Sequence, residues 1–166
     1  MPRLLTGGYI VLVLYAASAA VGAASRAGML IPVALPLAAA LILAVRWLKP
    51  PAELAAWAVF TSLLLGGTYL STGSPLETGA LVIYFGLTAL GLFRSPYFLT
   101  LAWLIHPLWD FLPRDLPAQL VDLPMACLLY DIPIGLYLLW GARQRRWLPF
   151  QLPLRRTAAA GQTRSR

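Results

Sequence analysis

Charge is what this sequence has least of. Only 11% of its 166 residues are Asp, Glu, Lys or Arg, against about 25% in an ordinary water-soluble domain. Histidine and cysteine are scarcer still, with His106 and Cys127 the single example of each. One cysteine excludes an intrachain disulfide. One His and one Cys fall short of the usual nitrogen and sulfur donors of a zinc site, and one His cannot supply a bis-histidine haem. The chain has no Gly-rich phosphate loop and no Gly-x-Ser-x-Gly elbow. No cofactor and no metal are therefore expected, and Cys127, set in an apolar run, reads as a packing residue.

Apolar residues are abundant. Hydrophobic side chains make up 60% of the chain and the mean hydropathy is +0.73. Long apolar runs alternate with short polar breaks, the pattern of a multi-span membrane protein. The fold class expected is an all-α membrane bundle of six transmembrane helices, at about 6–24, 29–47, 53–71, 78–93, 96–112 and 122–141. The breaks are SRAG (25–28), RWLKPPAE (46–53), STGSPLETG (71–79), FRSP (93–96) and LPRDLPAQLVDLP (112–124). They are rich in the Gly, Pro and Ser that end helices. Residues 1–142 would form the bundle, and residues 143–166 a basic tail with a disordered end.

The net charge of +7 does not point to nucleic acid, because the basic residues lack a folded platform. Seven of the 13 Lys and Arg follow residue 142, as expected of a cytoplasmic tail beside anionic lipid. Six spans put both termini on one side. That side would hold Arg3, Arg46, Lys49, Arg94, Arg143, Arg145 and Arg146, and the other only Arg26 and Arg114. This bias makes the termini cytoplasmic. The first 24 residues resemble a signal peptide, but their small residues run on smoothly, so a retained first span is expected. Rows of small residues at four-residue spacing (Ala16, Ala20 and Ala24; Ser62 and Gly66; Gly67 and Ser71) suit close helix packing in lipid.

Few titratable groups fall inside the spans. His106, Asp110 and Asp131 are the candidates for chemistry, since an intramembrane ionisable residue faces the interior and finds a partner. At 1.5 Å per residue, His106 lies roughly 10 Å and Asp131 roughly 13 Å below the outer end of their spans. Similar depth on consecutive antiparallel helices predicts a His106–Asp131 contact, with Asp110 one turn above it. Pro107 and Pro133 sit beside these groups and would break the two helices, opening a polar pocket. Trp103, Trp109, Tyr130 and Tyr137 are expected to line it.

HPLWD, followed some 20 residues on by YDIPIGLYLLWG, resembles a pattern in a family of small, uncharacterised bacterial multi-pass membrane proteins. Those proteins carry His-x-x-Trp-Asp in a late span and Asp-x-x-x-Gly-x-Tyr in the next. The matching residues are His106, Trp109 and Asp110, then Asp131, Gly135 and Tyr137. Many of those proteins carry a further His just after the Asp, where this chain has Phe111 and Leu112. The resemblance implies a bacterial inner (plasma) membrane location and a site in spans five and six, and it brings no activity.

Three functional readings follow. The first is a membrane partner subunit, in contact with the bilayer and with a second copy or another subunit, whose His/Asp cluster is a packing clamp. The second is a small-solute or proton-linked carrier, in which the cluster changes charge. The third is an intramembrane acid–base enzyme acting on a lipid-soluble substrate.

Overall fold

The computed structural model describes residues 30–66, 75–113 and 121–151, and among them every regular element is helical. Helix α1 (Leu30–Arg46) is followed by α2 (Pro50–Phe60), which continues as a π-helical segment (Thr61–Gly66). Then come α3 (Pro75–Phe93), α4 (Tyr97–Asp110) and α5 (Leu123–Arg143). Prolines open α2, α3 and α5, where the first turn needs no amide donor and a fixed φ favours the helix. The expected first span, the 25–28 loop, parts of the 71–79 and 112–124 loops and the end of the tail lie outside the described residues.

The helices run up and down. The amide of Leu30 donates to Asp122 Oδ2 at 3.1 Å, so α1 and α5 start at one end. The Arg46 guanidinium lies 5.6 Å over the Trp140 ring, so they finish together. Between α3 and α4 the chain reverses within three residues, the amide of Ser95 donating to the carbonyl of Leu90 at 3.0 Å. This alternation carries all the Lys and Arg of the described residues (Arg46, Lys49, Arg94, Arg143, Arg145 and Arg146) to one end. Glu77, Asp110 and Asp122 belong to the other.

Six full-length spans are not what the described residues form. Two helices, α3 and α5, are long and apolar enough to cross a membrane. α1 is apolar but has 17 residues, and the 14-residue α4 covers only about 21 Å against a hydrocarbon core of about 30 Å. α4 is short because Pro96 sets its start and the chain turns after Asp110, ahead of Pro113. The prolines within α1, α4 and α5 do not break them either: each helix runs on through Pro36, Pro107 or Pro133. Neighbouring helices let an apolar bundle accommodate such positions. The irregular backbone lies instead at the π segment. There Thr61 Oγ1 donates to the Trp57 carbonyl at 2.7 Å, a side-chain bond that competes with the helix ladder. The same hydroxyl accepts the Trp103 indole N–H at 2.9 Å.

Trp57 and Trp103 form the centre of the core, their rings meeting edge to face at 6.3 Å. Leu54, Leu99, Ile134 and Leu138 close around them. The most extensive packing is between α4 and α5, and glycine sets its distance. A Cβ at Gly135 would fall 2.5 Å from Leu104 Cδ2 of α4; between α3 and α4 likewise, one at Gly91 would fall 2.5 Å from Leu99 Cγ. Close approach therefore rests on Gly91 and Gly135 more than on the four-residue rows, most of which lie outside the described residues. Gly135→Ala should overpack α4 against α5 and cost about 1–3 kcal/mol. Gly86→Ala, which meets nothing within 4 Å, should be neutral or stabilising by up to about 1 kcal/mol. Unfolding of both variants in detergent checks the contrast.

Candidate functional site

Two helix faces build the site. His106 and Asp110 are one turn apart on α4, and Cys127 and Asp131 are one turn apart on α5, so each pair shares a face. Because α4 and α5 are antiparallel, Asp131 meets His106. His106 Nδ1 lies 2.7 Å from Asp131 Oδ2 and 3.5 Å from Asp110 Oδ2. All three residues are buried, with at most 5% of their surface exposed. A carboxylate only accepts, so a hydrogen bond to an ionised Asp131 needs the ring proton on Nδ1. The edge of Tyr84 packs against the imidazole at 5.5 Å.

These groups form one wall of a cavity of about 230 Å³. Its other walls come from the starts of α1 and α5 and from Leu64 of the π segment, and are mostly aliphatic: Val33, Leu37, Leu64 and Ala126. Cys127 lines the same cavity. Ligating atoms of His106, Asp110 and Cys127 all lie within 4.8 Å of one another. The packing role assigned to Cys127 from sequence therefore overlooks its place in the cluster. A signal for it was present, because Cys127 precedes Asp131 by one helical turn and so reaches the depth of Asp110.

The expected aromatic lining is only partly there. Tyr130 lines the cavity. Trp103 is fully buried one turn before His106 and bonds to Thr61. Trp109 lines a separate groove with Tyr84 and Ile105 between α3 and α4. Tyr137 lies six residues beyond Asp131, about 9 Å farther along α5, and belongs to the opposite end of the bundle.

There it meets a second polar cluster, which sequence reasoning missed. Glu53, fully buried in the first turn of α2, accepts the Tyr137 hydroxyl at 2.5 Å and Arg146 Nε at 2.6 Å. Arg146 also donates from Nη2 to the Arg46 carbonyl at 3.2 Å. The chain after α5 turns through Arg145 at φ 51° and seats Trp147 directly on Gly141. It then bonds Phe150 N to the Leu92 carbonyl at 2.8 Å. In the sequence Glu53 read as the edge of a loop and Arg146 as part of a tail. Only the meeting of four chain segments makes them partners.

A family model described as "Family of unknown function (DUF6010)" matches residues 28–144, and the chain belongs to that family. The match takes in both helix pairs of the His/Asp cluster. No curated protein and no solved structure is detectably similar to the chain.

As the only histidine, His106 gives one set of ring-nitrogen resonances. In the native protein these should report a proton on Nδ1, and Asp131→Ala should redistribute the tautomers. An unchanged tautomer ratio would sink the assigned hydrogen bond. For the second cluster, a double-mutant cycle of Glu53→Gln and Arg146→Gln should give a coupling of about 1–3 kcal/mol. A coupling near zero would mean that the ion pair contributes nothing to holding the C-terminal segment.

Proposed function

We propose that this member of the DUF6010 family is a multi-pass integral membrane protein that binds a small solute in a proton-handling cavity, as a carrier does. In this reading six spans cross a plasma membrane, with both termini cytoplasmic and the cavity near the outer face. The observation that carries it is the grouping of three buried titratable side chains, His106, Asp110 and Asp131, on one wall of a largely aliphatic cavity.

The membrane reading is supported by what the helices leave uncovered. The apolar stretches of α3 and α5 are only 22% and 28% buried. A core helix of a water-soluble protein would cover such a surface, and exposed apolar area of this extent marks contact with lipid or a partner. Val82, Phe85, Leu108 and Leu136 all point outward. The gathering of described Lys and Arg at one end matches the positive-inside pattern. For topology, single cysteines in a Cys127→Ser background serve as probes. An impermeant thiol reagent should label Leu76→Cys in intact cells, and Leu48→Cys only after lysis. The reverse pattern would overturn the orientation.

The carrier reading is supported by the cost of the cluster. A charged side chain deep in a bilayer costs at least about 2.5–3.5 kcal/mol. A packing clamp between α4 and α5 needs His106 and Asp131 alone. Asp110 adds a second buried carboxylate on the cavity wall, and a solute with a polar or cationic group would use both. The test is thermal unfolding of the purified protein against a panel of small amines, amino acids and weak acids. A bound solute at 100 times its Kd should add about 2.7 kcal/mol of stability, and Asp110→Asn should remove that gain. A panel that shifts neither protein, or both alike, returns the chain to a partner subunit whose cluster is a clamp.

A further inference from the structure

We infer that the cavity wall is a binding site for a divalent transition-metal ion of borderline softness, such as Zn²⁺ or Co²⁺, held by His106, Asp110 and Cys127. The inference rests on the reading of this cavity as a ligand site and names the class of ligand.

Three features support it. The first is donor chemistry. Imidazole nitrogen, carboxylate oxygen and thiolate sulfur together suit zinc and its neighbours, whereas Mg²⁺ and Ca²⁺ take oxygen ligands. The second is distance. The three ligating atoms lie within 4.8 Å of one another, while ligand bonds of about 2.0–2.3 Å in a tetrahedral site put donors roughly 3.3–3.8 Å apart. Small side-chain rotations would close that gap, with Nε2 as the ligating nitrogen, since Nδ1 is taken by Asp131. The third is support and space. Asp131 accepts a hydrogen bond from the His106 ring at 2.7 Å, the carboxylate–histidine pairing that orients metal-ligating imidazoles. The adjoining cavity of about 230 Å³ leaves room for a fourth ligand, as open zinc sites do.

The charges also balance. Binding takes the proton from the Cys127 thiol and releases it. A dication then meets the Cys127 thiolate and the Asp110 carboxylate, whose two negative charges match its own, with the Asp131 carboxylate one hydrogen bond farther out. Such a complex tolerates aliphatic walls far better than the separated charges would. In this mode the proton-handling of the site and its occupancy by metal are linked, because loading the ion expels a proton.

The test is titration of the full-length protein in detergent with Co²⁺ alone. The expected result is one ion per chain, with a sulfur-to-cobalt charge-transfer band in the near ultraviolet and the intense visible absorption of a tetrahedral site. Cys127→Ser should abolish the charge-transfer band. Asp110→Asn should keep the band and weaken binding roughly tenfold or more. A hundredfold excess of Mg²⁺ should not compete, whereas Zn²⁺ should displace the cobalt. Each variant is checked for a native-like unfolding transition, and Cys127, being partly exposed and without a disulfide, is a mild site to alter. Absence of binding by the folded native protein would overturn the inference, as would an affinity for Co²⁺ unchanged in both Asp110→Asn and His106→Ala. If Co²⁺ fails while a solute from the panel still stabilises the protein in an Asp110-dependent way, the metal assignment falls and the carrier reading stands. If both fail, the cavity is no ligand site.

Discussion

The hydrogen bond between His106 and Asp131 is the constraint on which the arrangement of this end of the bundle depends. It joins α4 to α5, the pair with the most extensive packing, at a place where almost every neighbour is apolar. In such surroundings a polar group without a partner is costly, so the register of the two helices is tied to this bond. Once His106 faces Asp131, helical geometry leaves no choice about the next turn. Asp110 and Cys127, each one turn toward the same end, are brought to the same cavity wall.

The opposite end is held by a different device. Glu53 is buried at the start of α2 and receives Tyr137 from α5 and Arg146 from the segment that follows it. Trp147 fits against the bare backbone of Gly141. Together these contacts close the end at which the described Lys and Arg gather. The described residues thus hold two polar centres in an apolar body. The first, at the end where α1 and α5 begin, adjoins a cavity. The second is an ion-paired lock that uses the C-terminal segment as a part of the fold.

Much of this was legible before any coordinates. Apolar runs and proline-marked breaks located α1, α3 and α5 to within a few residues, because helix ends in so greasy a chain have few places to fall. Depth arithmetic on a rise of 1.5 Å per residue brought His106 opposite Asp131. Other readings failed for identifiable reasons. Trp103, Trp109 and Tyr137 were assigned to the pocket by nearness in sequence, yet on a helix nearness in sequence does not set direction. Pro107 and Pro133 were expected to break their helices, and the surrounding packing holds both helices intact. Cys127 was read as a packing residue, and its spacing from Asp131 puts it on the same face, beside the cavity.

What the sequence by itself determined is the class of object: an apolar, helical, up-and-down chain with its charge at one end and a few titratable groups deep within it. Composition and periodicity are properties of single segments, and each segment carries them unaided. What only the tertiary structure decided is which groups meet. The partnership of Glu53 with Arg146, 93 residues apart, and the convergence of nitrogen, oxygen and sulfur donors on one cavity depend on the rotation of each helix about its own axis. That rotation is set by the glycine contacts and by the buried tryptophans of other helices, and no single segment encodes it.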